Sequence, residues 1–129
     1  MTKHLTPEIV SAFEQVRSHL QKLYDELSGL SKKNPDSPLN RFKVGIVNER
    51  LRVANTFLSG IHKPFETFAE FDEAELVTAS DVVVVLSQYL NSLEGWRSSN
   101  VVKVVLDWYW NTKPPHIRSV APTRFRKDD

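Results

Sequence analysis

The sequence predicts an all-α fold: a bundle of three long helices over residues 7–30, 39–59 and 81–96, then a short C-terminal helix and an extended aromatic segment. Two stretches carry that expectation. Residues 80–96 (SDVVVVLSQYLNSLEGW) are the most apolar continuous piece of the chain. On a helical wheel Val82, Val83, Leu86, Tyr89, Leu90, Leu93 and Trp96 crowd one arc, while Ser87, Asn91 and Glu94 fall outside it. Near the start, Ile9, Phe13, Val16, Leu20, Leu23, Leu27 and Leu30 alternate spacings of four and three, which draws a narrow seam along one helix.

The first helix opens at Thr6-Pro7-Glu8, a hydroxyl cap, a proline where no N–H is needed, and an acid near the positive end of the dipole. Its seam suits one long partner, either the next helix of the same chain or the same helix of a second copy. The turn GLSKKNPDS follows, and Ser37-Pro38 reads as the start of a second helix that Gly60 stops. That helix offers Leu39, Phe42, Ile46, Val53 and Phe57 to a core, broadened by Val47, Leu51, Ala54 and Leu58. Arg50 projects into this arc, whereas Arg41 and Arg52 point away. A desolvated Arg50 needs a carboxylate, expected from the acidic block that follows; otherwise its stem packs and its head reaches water.

Residues 60–79 (GIHKPFETFAEFDEAELVTA) break the helical pattern at Pro64 and place Phe65, Phe68 and Phe71 among acids. These rings either cap the open end of the bundle or form an acidic aromatic strip for a basic partner. The third helix takes Ser80 or Asp81 as its cap. Beyond Trp96, the β-branched and aromatic run VVKVVLDWYWN fits a strand or a helix capped by Ser98, Ser99 or Asn100. A short helix near 101–107 is expected, with the alternative of a small hairpin joining 108–110 to 117–120 across NTKPPH. Residues 121–129 read as a mobile tail of a single domain.

Charge is arranged in blocks. Residues 1–63 hold ten Lys/Arg against six Asp/Glu, residues 64–95 none against seven, and residues 96–129 seven against three, which sums to the net +1. The longest aliphatic run, residues 82–86, is far short of the roughly 20 needed to span a bilayer, so a cytoplasmic, non-membrane protein is expected. Without cysteine there is no disulfide, thiolate metal site or thiol nucleophile.

No motif for catalysis, metal or cofactor emerges. His4, His19, His62 and His116 have no ligand spacing, and the carboxylates Glu70, Asp72, Glu73 and Glu75 lack the glycine of a calcium loop. The isolated glycines draw no phosphate loop, and Ser98 and Ser99 have no elbow motif. The expected function is binding: a small interaction module contacting a protein partner or itself. Trp108, Tyr109 and Trp110 are the candidate anchors, with Phe65, Phe68, Phe71, Arg118, Arg124 and Arg126 as further contacts. The alternative is a nucleic-acid-associated factor stacking bases on the WYW aromatics beside Arg118, Arg124 and Arg126. A whole-chain pI near 8.0 falls below the footprint of a dedicated nucleic-acid binder, about 9 or above.

Overall fold

Helix α1, Pro7–Lys33, starts where its cap requires: the Thr6 hydroxyl accepts from the Ile9 N–H at 3.2 Å, and Pro7 takes the first helical position. This computed structural model describes residues 4–123. Lys32 and Lys33 lie at the negative end of the α1 dipole, so the helix outruns its expected stop at Leu30. Helix α2, Arg41–Asn55, begins later than expected because the Leu39 N–H donates instead to the Val77 carbonyl, and the Asn40 side chain accepts from the Lys43 N–H. Helix α3, Ala79–Asn100, is capped by Thr78, two residues before the expected Ser80. Thr78 and Asp81 exchange side-chain and backbone bonds in a capping box.

Aromatic contacts fix the directions. Phe13 stacks on Trp96 and meets Phe57 edge-on, which puts the start of α1 beside the ends of α2 and α3. A bridge between Pro38 and Thr78 sets the starts of α2 and α3 side by side. Thus α2 and α3 run the same way, α1 runs against both, and residues 56–78 must return along the bundle. They do so as an irregular cord containing one 3-10 turn, Gly60–His62, in the place where an up-and-down four-helix bundle has another helix. Gly60 supplies the positive φ of 58° that starts this turn.

Three side chains of α2, helped by one of α3, hold the cord. Asn48, fully buried, donates to the Phe71 carbonyl and accepts from the Phe71 N–H, both at 2.8 Å. Asn55 donates to the Ala69 carbonyl at 3.0 Å and accepts from the Tyr89 hydroxyl at 2.8 Å. Arg52 pairs with Glu70. Phe65, Phe68 and Phe71 meet edge to face in sequence and pack half-buried on the core, along its side rather than over an end.

The short fourth helix expected at 101–107 is replaced by sheet. β1 (Val101–Val104) follows α3 directly, β2 (Asp107–Trp110) returns against it, and β3 (Arg118–Ser119) completes an antiparallel sheet in the order β1-β2-β3. Four valines and three aromatics suit a pleated surface with one face covered, and that preference outweighs the capping residues ahead of them. The fold is therefore mostly helical with a small sheet, not a bundle of helices alone. The chain start is sewn to this sheet, since the Leu5 N–H donates to the Asn111 carbonyl at 2.8 Å.

The α2 arc is also rotated. Val44, Val47, Asn48, Leu51 and Ala54 face inward, whereas Phe42 is 74 % exposed, because the cord and α1 together cover the Asn48 side. The α1 seam is occupied within the chain, with Phe13, Val16, Leu20 and Leu27 buried and Ile9 giving way to Val10. Replacing Asn48 by alanine leaves both backbone groups of Phe71 without their partner. We expect a loss of about 2–4 kcal/mol in urea unfolding, and a much smaller effect from Arg52→Ala at the exposed Arg52–Glu70 pair.

Candidate functional site

The buried charged side chains among the described residues, Glu94 and Arg97, lie where α1 meets α3. Each helix carries the pattern apolar-Glu-x-apolar-Arg, as Phe13-Glu14-Gln15-Val16-Arg17 and Leu93-Glu94-Gly95-Trp96-Arg97. Because the helices are antiparallel, each glutamate meets the other helix's arginine. Arg17 Nε donates to Glu94 Oε2 at 2.9 Å, and Arg97 holds both Glu14 oxygens, each at 2.9 Å. Arg97 also reaches Glu94 and the Ser119 hydroxyl of β3, and its guanidinium lies 5.3 and 5.2 Å from the ring centroids of Phe13 and Trp110. Burial opposes the Arg97 charge, but the bonds and charges of Glu14 and Glu94 more than offset this and hold its pKa above the ordinary value. Through Ser119 and Trp110, Arg97 docks the sheet on the bundle.

Arg97 is the buried arginine that sequence reasoning sought at position 50. Arg50 is half-buried and, among the described residues, makes no ion pair. Its charge acts on His19, whose pKa is lowered first by burial and then by Arg50 and Lys22. Arg52, placed on the far side of the helix, is the residue that meets the acidic block.

One serine does find a base across the fold: Ser99 Oγ lies 3.2 Å from His62 Nε2, and burial lowers the His62 pKa. Ser99 is exposed, and among the described residues no acid bonds to His62 to orient the ring. One surface hollow, of about 540 Å³, lies between the start of α1 and the Lys113-Pro114-Pro115 loop, where the proline pair is joined in cis.

The C-terminal hairpin is different in kind. The register places Val101, Lys103, Trp108, Trp110 and Ser119 on the face toward the bundle, and Val102, Val104, Tyr109 and Arg118 on the outer face. Trp110 is fully enclosed against Phe13, Trp96 and Arg97. Trp108 is half-buried with the Lys103 ammonium 5.9 Å from its ring centroid. Of the three expected anchors, then, Tyr109 alone is on the outer face. Arg118 is exposed and pairs with Asp107, and Arg124 and Arg126 lie outside the described residues.

What the sequence reading missed is the hairpin tip. Val102 and Val104 are 49 % and 52 % exposed, and the turn residues Val105 and Leu106 are 85 % and 83 % exposed. Val105 has φ of 58°. A two-residue turn with positive φ at its first central position is the type that favours glycine, and a β-branched residue there is strained. Residues 101–106, VVKVVL, include none of the Gly, Asn or Asp that normally marks the centre of a turn, so nothing local pointed to position 105.

No protein-family profile, curated protein or solved structure matches this chain. Among the described residues no helix is long and apolar enough to cross a membrane.

Two stability measurements check these assignments. Arg97→Met leaves the buried Glu94 with Arg17 and the Thr123 N–H as its remaining partners and Glu14 without its arginine, and we expect a loss of about 3–5 kcal/mol in denaturant unfolding. A further Glu94→Leu change restores part of it, so the two losses are not additive. Val105→Gly relieves strain of about 1–3 kcal/mol, part of which the freer unfolded glycine takes back, so thermal unfolding should show a net gain of about 1 kcal/mol.

Proposed function

We propose that this protein is a binding module whose contact surface is the outer face and tip of the C-terminal hairpin. The observation that carries the reading is the strained, exposed apolar turn at Val105 and Leu106 continuing into Val102 and Val104. Strain of this kind persists where surrounding structure imposes it, and it clusters at contact and switch regions. A glycine at Val105 would remove the strain at no cost in packing, since the side chain touches little within the fold. The side chain at this position is apolar and exposed, which suits contact with something outside the fold.

The rest of the structure supports this arrangement mechanically. Trp110 and Arg97 fix the root of the hairpin, so its tip is presented without the ordering cost of a mobile loop. Val102, Val104, Tyr109 and the tip then form an apolar strip with the Asp107–Arg118 pair beside it, the pattern of an apolar contact with a polar rim. The nucleic-acid reading loses its platform, because Trp110 is enclosed and Trp108 faces the bundle under Lys103.

The test places a photo-crosslinking amino acid at Leu106, at Val102 and, as a control, at Lys32 in the chain expressed in its own cells. We expect one defined adduct, the same from positions 106 and 102 and absent from 32. Adducts of equal yield at all three positions, or none at any, would reject the reading.

A further inference from the structure

We infer that the open edge of β1 accepts an extended, acidic segment of another protein as a fourth strand of the sheet. This rests on the hairpin being the contact surface and gives its partner a chemistry. β1 stands at the margin of the sheet. The two-residue turn makes Val104 and Asp107 the hydrogen-bonded closing pair, so bonded pairs recur at Val102 with Tyr109 and at Asn100 with Asn111. The bond from the Asn111 N–H to the Asn100 carbonyl, 2.9 Å, keeps that phase. Both backbone groups of Lys103 and the carbonyl of Val101 therefore point away from β2, toward the side where an added strand would pair.

Charge selects the occupant. Lys103 is the one charged residue of β1, and among the described residues no carboxylate pairs with it; Asp107 is taken by Arg118. Residues 101–123 hold Lys103, Lys113 and Arg118 against Asp107, three minus one, a net +2. A strand laid on β1 alternates its side chains, one set beside Val102 and Val104 and the other beside Lys103. The complementary segment thus alternates apolar residues with Asp or Glu, and a basic segment meets a like charge. A second copy of β1 fits less well, since it brings a second Lys103 to the same face with no counter-charge. Edges guarded by lysine in this way resist their own kind while remaining open to acids.

The experiment titrates the isotope-labelled full chain with an alternating Glu-Val octapeptide and with its Lys-Val counterpart, followed by amide NMR and hydrogen exchange. We expect the Glu-Val peptide to protect the Lys103 N–H and to bind about fivefold more tightly than the Lys-Val peptide, the upper range for one exposed ion pair. Lys103→Gln should abolish the preference and Lys103→Glu reverse it, with the rest of the spectrum unchanged. Shifts at the Val102 and Val104 methyls without protection of the Lys103 N–H would overturn strand addition while leaving the outer face as a contact surface. Binding of neither peptide, or equal binding of both, would overturn the inference, and crosslinking at Leu106 would still decide the broader reading. Protection of the Lys103 N–H that grows with protein concentration and needs no peptide would assign the edge to a second copy and overturn the acidic partner.

Discussion

The reciprocal pairing of Glu14 with Arg97 and Arg17 with Glu94 is the interaction on which the rest of the structure depends. Burying a guanidinium is tolerable only if its donors and its charge are both answered. Arg97 meets this requirement with two carboxylates, one hydroxyl and two aromatic faces, drawn from α1, α3, β2 and β3. Those partners fix the sheet on the bundle in one orientation. An apolar residue at position 97 would fill the volume but would accept many neighbouring arrangements. The direction of hydrogen bonds supplies the specificity that packing alone lacks.

The cord between α2 and α3 solves a related problem. Two helices that run the same way need a crossover as long as themselves, and Pro64 with a dense run of acids prevents that crossover from becoming helical. Backbone groups left without helical bonds must find other partners. Asn48 and Asn55 supply them from α2, and Tyr89 from α3 holds Asn55 in place. The Phe65, Phe68 and Phe71 rings meanwhile cover the groove, so of the acids between them Glu66 is exposed and Glu70 pairs with Arg52 at the surface.

Long-period features were legible in the sequence, and features set by neighbours from elsewhere in the chain were not. The cap at Thr6 and the α1 seam from Phe13 to Leu27 follow from local spacing and appear where expected, with Val10 taking the place of Ile9. Nothing in the local spacing marks Asn48, because only the returning cord makes its burial useful. Glu94 looked solvent-facing because α3 is covered from several sides, so a one-sided wheel misplaces it; it is in fact 3 % exposed. The matching patterns at 13–17 and 93–97 were a readable signal for the charge quartet, once the two helices are set antiparallel. The segment 101–110 was ambiguous for a physical reason: Ser98 to Asn100 suit a helix start, while the valines suit a strand, and the contact of Trp110 with Phe13 and Trp96 decides between them. For the candidate surface, composition drew attention to the tryptophans, which are conspicuous because they are large, and passed over the small valines that stay outside.

The span of the quartet has a consequence for how the molecule assembles. The bonds joining Glu14 to Arg97 and Arg17 to Glu94 connect residues 83 and 77 positions apart. Bringing such distant segments together costs loop-closure entropy that nearby contacts do not. The helices and the turn at the hairpin can form from local contacts, whereas the quartet waits for almost the whole chain to be in place. A link that forms last on the way in tends to be among the first to be broken on the way out. Changes in these four charged side chains, two of them buried, are therefore expected to alter the rate at which the native state opens more than the rate at which it is reached.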